Sequence, residues 1–364
     1  MSISLINHSN TIVKKIAGKF EEVIPVRSGF AGWFPEETTP TLLVSVEVQR
    51  DTDLIAEDVV RFTEGTKNKY TKATENLYQP PYFKLDYDFN RDNVYMTSIA
   101  QANILDNPTI NQIITMNAYK AVEKNRNKII RAIRKQQADV LQTGIVTVAS
   151  GDNVDFRRKA ASMVNVSTGP GAKYWDDVTS LPIQDIGYGL DFLRNVANSG
   201  GSAVNVVMRT KALNALLQTN YMKDNGKNIL QQIQRVNVGM PQFDGMSGFA
   251  LHGQIASGDF AVNIWTYNEK YTDKNGAIQY YLAENLVVMI PDDFKGKTVF
   301  GGLPTMVQTN VNGTPSAVPG IVEAPYLIRP YADLKTLSST IELTSAPLVI
   351  PFTIDKIYTM QVFA

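Results

Sequence analysis

The chain has 364 residues, 44% of them hydrophobic and 19% charged, with Lys plus Arg and Asp plus Glu balanced at 35 each. This length and apolar content suit about two domains with a substantial core and exclude a disordered chain. Zero net charge argues against wholesale coating of nucleic acid and leaves association between copies unopposed, and the lack of cysteine excludes disulfides, thiolate zinc sites and cysteine nucleophiles.

The first residues, MSISLINHSNTIVKK, lack the apolar core of a signal peptide, and no apolar stretch approaches the roughly 20 residues needed to span a bilayer. A soluble, cytoplasmically made protein is expected. Residues 9–20, SNTIVKKIAGKF, place Ile12, Val13, Ile16 and Phe20 on one helical face behind a Ser9 or Asn10 cap. So short an amphipathic arm is not stable alone and must dock on something.

Two period-two stretches follow. In TLLVSVEVQR, Val44, Val46 and Val48 point one way; in YFKLDYDFN, Phe83, Leu85, Tyr87 and Phe89 oppose Lys84, Asp86 and Asp88. Such alternation predicts half-buried antiparallel strands. With the polar EGTKNKYTKATEN between them, they are expected to pair as one long hairpin, which is marginal without partners.

Residues 108–143 form the strongest helix prediction. Asn107 can cap it, Pro108 suits its first turn and Gly144 its stop. At 36 residues it would run about 54 Å. Ile110, Ile114, Ala118, Val122, Ile129, Ile133 and Val140 form an apolar stripe, and Lys120, Lys124, Lys128, Arg131 and Lys135 a basic one roughly opposite. Residues 119–135 hold seven Lys/Arg against the single acid Glu123, so this face is either simply solvated or turned toward a polyanion.

Beyond Gly144 the pattern is mixed. IVTVA reads as a strand, and YWDDVTSLPIQDIGYGLDFLRNVA as a turn and then a helix from about Ile183 to Ala197. NVVM is a strand and RTKALNALLQTNYM a helix. FALHGQ, FAVNIWTYN, AIQYYL and LVVMI are strands, the last apolar throughout and hence covered on both faces. Asn275-Gly276 predicts a type I′ hairpin turn. Residues 310–325, NVNGTPSAVPGIVEAP, predict a Pro/Gly loop, and TIELTSAPLVIPFTIDKIYTMQVFA more strand.

Catalytic signatures are incomplete. The two histidines, His8 and His252, belong to no H-E-x-x-H. GMSGF at 245–249 has Phe249 in the last glycine place of a nucleophile elbow, KGKT at 295–298 has Pro291 where a phosphate loop needs glycine, and GYGLDF at 187–192 lacks the third dinucleotide glycine. Asp273, Glu284, Asp292 and Asp293 have a turn reading that outweighs a paired-carboxylate one. No catalytic, cofactor or metal residue is expected.

The order of arm, hairpin, long helix, mixed α/β and terminal strand resembles the HK97-fold major capsid proteins of tailed bacteriophages, and more closely the phage lambda major head protein family. The motifs are DVLQTGIVTV; YWDDVTSLPIQDI with its Trp and Pro-x-x-Asp-Ile; IWTYNEKYTDKNGAIQYYLAENLVVMIPDD, where Ala283 replaces the family's proline; VFGGLP, with Phe300 in the place of a tyrosine; and TSAPLVIPFTIDKIYTMQVFA. The match covers roughly residues 105–364.

The resemblance implies an α+β, HK97-like capsid fold. The arm would be 1–34, the extended hairpin or E-loop 35–91, the peripheral domain 92–185 with 325–364 and spine helix 108–143, and the axial domain 186–324. It implies a shell of pentamers and hexamers around double-stranded DNA, bound without sequence preference. The hairpin would lie across a neighbouring copy, with Arg50, Asp51, Asp53, Lys84 and Asp86 as candidates for intersubunit pairs. Lys124, Lys128 and Arg131 are the candidates to face DNA. A separate scaffolding protein, a portal and a decoration protein are the other partners it implies, with assembly in the host cytoplasm and residence in the virion. The alternative within this fold is an encapsulin-like compartment around a protein cargo.

Overall fold

The computed structural model describes residues 26–48, 74–89, 110–147, 153–169, 172–201, 203–220, 236–257, 260–311, 314–333 and 338–364. The expected arm helix at 9–20 and the candidates Arg50, Asp51 and Asp53 lie outside them. A 3-10 turn, Gly29–Trp33, leads into strands β1 (Glu36–Thr38), β2 (Val44–Val48), β3 (Thr74–Tyr78) and β4 (Phe83–Phe89), then the long helix α1 (Ile110–Thr143). There follow β5 (Ile145–Val146), β6 (Val154–Asp155), β7 (Met163–Asn165), α2 (Pro182–Asn195), β8 (Ala203–Met208) and α3 (Thr210–Gln218). Next are β9 (Val236–Phe243), β10 (Phe249–Ser257), β11 (Phe260–Tyr267), β12 (Lys270–Thr272), β13 (Ile278–Tyr280), β14 (Leu286–Pro291) and β15 (Gly296–Phe300). The chain ends with β16 (Leu303–Val311), β17 (Thr314–Val322), β18 (Leu327–Asp333), β19 (Ser338–Ser345), β20 (Pro347–Pro351) and β21 (Tyr358–Gln361).

A mixed seven-stranded sheet, ordered β7-β21-β14-β8-β11-β10-β9, divides two cores. On one face Val204, Val206, Val287, Met289 and Met360 pack with α2 and α3. On the other, Val207, Val288 and Ile290 join Ile129, Ile133, Val140 and Leu141 of α1. The unbroken apolar run of β14 is therefore explained, because alternate residues serve different cores. The sheet joins strands from both segments expected as peripheral and axial, and β14 bonds directly to β21.

Helix α1 runs where the apolar stripe predicts, about 51 Å for its 34 residues. Gly144 ends it with φ +76°, a conformation that favours glycine, and its N–H bonds the Val140 carbonyl. The end is also capped by Arg158, which donates to the carbonyls of Leu141 and Gln142, to Ser162 and to the Ile357 carbonyl. Burial lowers the Arg158 pKa to about 10, opposed by Asp355.

Three expectations need correction. First, the strand Val44–Val48 pairs with Thr74–Tyr78 and not with Phe83–Phe89. The partner begins within the segment read as polar, in the run TENLY at 74–78. Phe83–Phe89 instead pairs with β19, in a β18-β19-β4 sheet laid on α1. Its half-buried Leu85 meets the helix there, where the carbonyl of Leu85 accepts from Asn125.

Second, the expected Pro/Gly loop over 310–325 is largely β17, paired along its length with β16. Pro315 and Pro319 are four residues apart, so their missing N–H groups fall on one edge of a two-stranded ribbon, where no ladder bond is lost. The Asn312-Gly313 pair was the available hairpin signal.

Third, the turn at Asn275-Gly276 is not type I′. Of the pair only Gly276 has positive φ, at +83°. The Asp273 carboxylate accepts from the N–H groups of Asn275 (2.8 Å) and Ala277 (2.9 Å), and this side-chain turn sets the loop in place of the dipeptide.

Candidate assembly surfaces

The acids that could have suggested chemistry have structural duties. Asp273 organises its own turn. Glu284 lies 3.7 Å from Arg209 and 3.6 Å from Lys211. The Asp292 side chain sits so close to Gly201 that a Cβ there would overlap it. Asp293 accepts from Ser199 Oγ, Gly200 N–H and Lys356 Nζ at 2.8, 3.1 and 2.5 Å. His252 meets Thr266 Oγ1 at 2.8 Å, and burial lowers its pKa. Among the described residues no three His, Asp or Glu side chains are grouped to hold a metal ion, and no helix is long and apolar enough to cross a membrane.

Of the expected apolar stripe of α1, Ile129, Ile133 and Val140 are buried and Val122 is half-buried, while the side chains of Ile110, Ile114 and Ala118 lie outside the described ones. Ala121, Asn125, Ile129, Ile133 and Gln136 are buried against the sheets, while Lys120, Lys124 and Lys128 are exposed. Arg131 is different: it is half-buried where the helix meets Tyr267 and Tyr281. Lys135 pairs along the helix with Asp139 at 2.6 Å. The solvent-facing part of the basic stripe is thus its N-terminal half.

The β2–β3 hairpin is rooted on the body through Val44, which is buried, and Tyr78, whose ring meets Phe156 at 5.6 Å and whose hydroxyl donates to the Asp155 carbonyl. Among the described residues its two strands pair with each other and with no third strand. On β4, Lys84 bonds Glu342 Oε2 at 2.6 Å, and Glu342 is 2% exposed. Asp86 stands directly opposite Glu342 in the register and is exposed. Of these two candidates, Lys84 contacts its own chain, and Asp86 faces outward.

The sequence motifs are joints between elements. Trp175 donates from Nε1 to Asp185 Oδ2 at 2.9 Å, which explains the Trp and Pro-x-x-Asp-Ile spacing. Gln142 of DVLQTG donates to the Tyr281 carbonyl at 2.9 Å and accepts the Ala283 N–H at 2.8 Å. In VFGGLP, Gly302 donates to the Thr41 carbonyl, and a Cβ on it would strike Ile321 and the backbone of Pro40. That close approach holds the hairpin base against β16–β17. These bonds were not foreseen; only the motifs were.

Comparisons with known proteins accord with this architecture. The model of the family described as phage major capsid protein E matches residues 22–362. No curated protein matches the sequence significantly. Among solved structures, the chain is similar to one assigned as the capsid protein of a prophage in Escherichia coli CFT073, at 16% identity and TM-score 0.59, covering 97% of this chain and 98% of that one. It is also similar to the capsid of cyanophage A-1(L), at 11% identity and TM-score 0.51, covering 94% and 95%. The SrpI encapsulin of Synechococcus elongatus PCC 7942 overlaps at TM-score 0.43 with 8% identity, covering 96% and 94%.

Proposed function

We propose a mode of assembly from the premise that this chain belongs to the phage major capsid protein E family. It is a major capsid protein of HK97-like α+β fold, a structural protein that self-assembles into the multimeric shell of the virion. Its work is therefore done by surfaces, and we infer that it carries no catalytic activity, since its conspicuous acids serve turns and ion pairs.

The observation that supports the assembly reading is the β2–β3 hairpin: among the described residues its two strands pair with each other and with no third strand. Isolated hairpins are marginal in water. Laid across a neighbouring copy, the hairpin would be covered there, and repeated interfaces of this kind bury thousands of Å² in obligate assemblies. The division proposed is an arm at 1–34, E-loop 35–91, peripheral domain 92–185 with 325–364, and axial domain 186–324. Axial domains would meet around five-fold and six-fold positions to give pentamers and hexamers. Arg50, Asp51, Asp53, Lys84 and Asp86 would set register between copies.

The shell would enclose double-stranded DNA. Exposed Lys124 and Lys128, with Arg131 behind them, would hold it by counterion release without reading sequence. Scaffolding, portal and decoration proteins, and assembly in the host cytoplasm, complete the proposal. The encapsulin alternative is not favoured, because the family matched over 22–362 is one of phage capsid proteins; DNA with portal, as against a cargo enzyme, in the purified particle separates the two.

Negative-stain electron microscopy of the purified protein, with particle mass from light scattering, tests the reading. Closed shells, tubes, or rings of five and six are expected. A subunit that stays monomeric even with its scaffolding protein present overturns it.

A further inference from the structure

Both legs of the β2–β3 hairpin meet the body at one dipeptide, Gly301-Gly302, which links β15 to β16. The first leg runs parallel to β15 as β1, with Thr38 opposite Phe300. Three bonds strap it there: the Thr298 N–H to the Pro35 carbonyl at 2.9 Å, the Thr39 N–H to the Phe300 carbonyl at 2.9 Å and the Gly302 N–H to the Thr41 carbonyl at 2.8 Å. The second leg leaves β3 through Pro80-Pro81, both buried. Gly301 is held from behind, its N–H donating to the Ala346 carbonyl at 2.8 Å.

The two glycines divide the legs between them. A Cβ on Gly302 would stand 2.7 Å from the Pro40 carbonyl oxygen and 3.0 Å from its carbon, besides striking Ile321. A Cβ on Gly301 would stand 3.0 Å from Cγ of Pro80 and 3.6 Å from its Cβ. Neither glycine has positive φ, so the place requires the missing side chain and not an unusual backbone. Proline fixes φ at each contact and biases the residue before it toward an extended conformation, so each leg arrives stiff. The hold of Tyr78 on Phe156 and Asp155 lies just beyond and makes a fulcrum. A displacement at the glycines then becomes a tilt of β2, whose five residues span about 17 Å.

Resting on the hairpin's proposed place across a neighbouring copy, we propose that Gly301 and Gly302 are positioning residues for assembly. They form a saddle that sets the direction in which the hairpin leaves the body, and so where it meets the next copy. Gly302 fixes the first leg at Pro40 and Gly301 the second at Pro80.

The chain has no cysteine, so spin labels at Glu47→Cys on β2 and Asp191→Cys on α2, an exposed position, report the hairpin's direction in the unassembled full chain. Gly302→Ala and Gly301→Ala should each shift the mean distance by several Å while circular dichroism stays that of the folded subunit. Pro80→Ala removes the Cγ that a Cβ on Gly301 meets. It should therefore return the Gly301→Ala distance to the wild-type value and leave the Gly302→Ala shift in place. In the unlabelled chains, electron microscopy should show closed shells lost to tubes, open sheets or free subunits in both glycine variants, and regained when Pro80→Ala is added to Gly301→Ala. If Gly302→Ala does not fold, Gly301→Ala and its rescue decide. Unchanged distances in the folded variants, or a Gly301→Ala shift that Pro80→Ala fails to reverse, would overturn the proposal. Shifted distances with normal shells would uphold the saddle and overturn instead the hairpin's place between copies.

Discussion

Trp175 and Asp185 are both buried, and the indole Nε1 donates to Oδ2 of the carboxylate at 2.9 Å. Pro182, at the first helical position, presets the φ needed to start α2 and places Asp185 in its first turn, near the positive end of the helix. Burial raises the Asp185 pKa and the indole bond opposes it. Asp185→Ala would leave the indole unsatisfied and should cost about 1–3 kcal/mol. Asp185→Asn keeps an acceptor and should cost much less. Urea unfolding of the unassembled subunit checks both; equal losses would show that the bond is incidental.

How far the sequence could be read depends on how local the determinant is. The helix expected over 108–143, its Gly144 stop and the covered strand at 286–290 follow from periodicity and one residue's φ, and the structure has the helix over Ile110–Thr143, the stop and the strand. The pairing of Val44–Val48 was misread because Thr74–Tyr78 sits among Lys, Thr and Asn, and strand pairing is a long-range property that alternation alone does not fix. Pro315 and Pro319 suggested a loop because an edge strand tolerates proline and the sequence does not say which strands are edges. The charge candidates were legible as exposed or basic, but the partner of Lys84 lies 258 positions along the chain at Glu342.

Ala283 stands where the resembling family has proline, and its N–H is in use. It donates to Gln142 Oε1 at 2.8 Å, and Gln142 is buried. Ala283→Pro would remove the donor and should destabilise the subunit by about 1–3 kcal/mol. In a Gln142→Ala background the same change should cost markedly less, since the acceptor is already gone. A double-mutant cycle on urea midpoints reads the difference; additive losses would mean that the effect is backbone strain alone.

Lys84 and Asp86 should separate under mutation. Lys84→Glu places a like charge on buried Glu342, whose other cation, Arg329, stands at 4.0 Å. The subunit itself should lose roughly 1–3 kcal/mol, less than for a fully buried pair because Lys84 is half exposed. Asp86→Lys puts a cation opposite Glu342 and should leave the subunit as stable or more so. If Asp86 pairs between copies, that stable subunit should nevertheless assemble poorly by light scattering. Normal shells from Asp86→Lys would remove it from the interface.

Asp293 makes the fold acid-sensitive in a defined direction. Burial alone would raise its pKa, but bonds from Lys356, Ser199 and Gly200 outweigh this and the net shift is downward from 3.8. The unfolded chain therefore binds its proton first as pH falls. The stabilisation is present above about pH 4 and is lost progressively as pH drops through 3.8 toward the lower folded value. The bonds that are lost join the exit of β14 to the loop before β8 and to the last 3-10 turn, Ile354–Lys356, so acid should loosen the C-terminal strands first. Asp293→Asn should lower stability at pH 6 and flatten its fall between pH 5 and 3, as unfolding midpoints across that range would show. Parallel curves for the two proteins would assign the acid response to other carboxylates. The carboxylate that first suggested catalysis is then accounted for as a clamp, because its low pKa comes from three donors of its own chain and leaves it a poor general base near neutral pH.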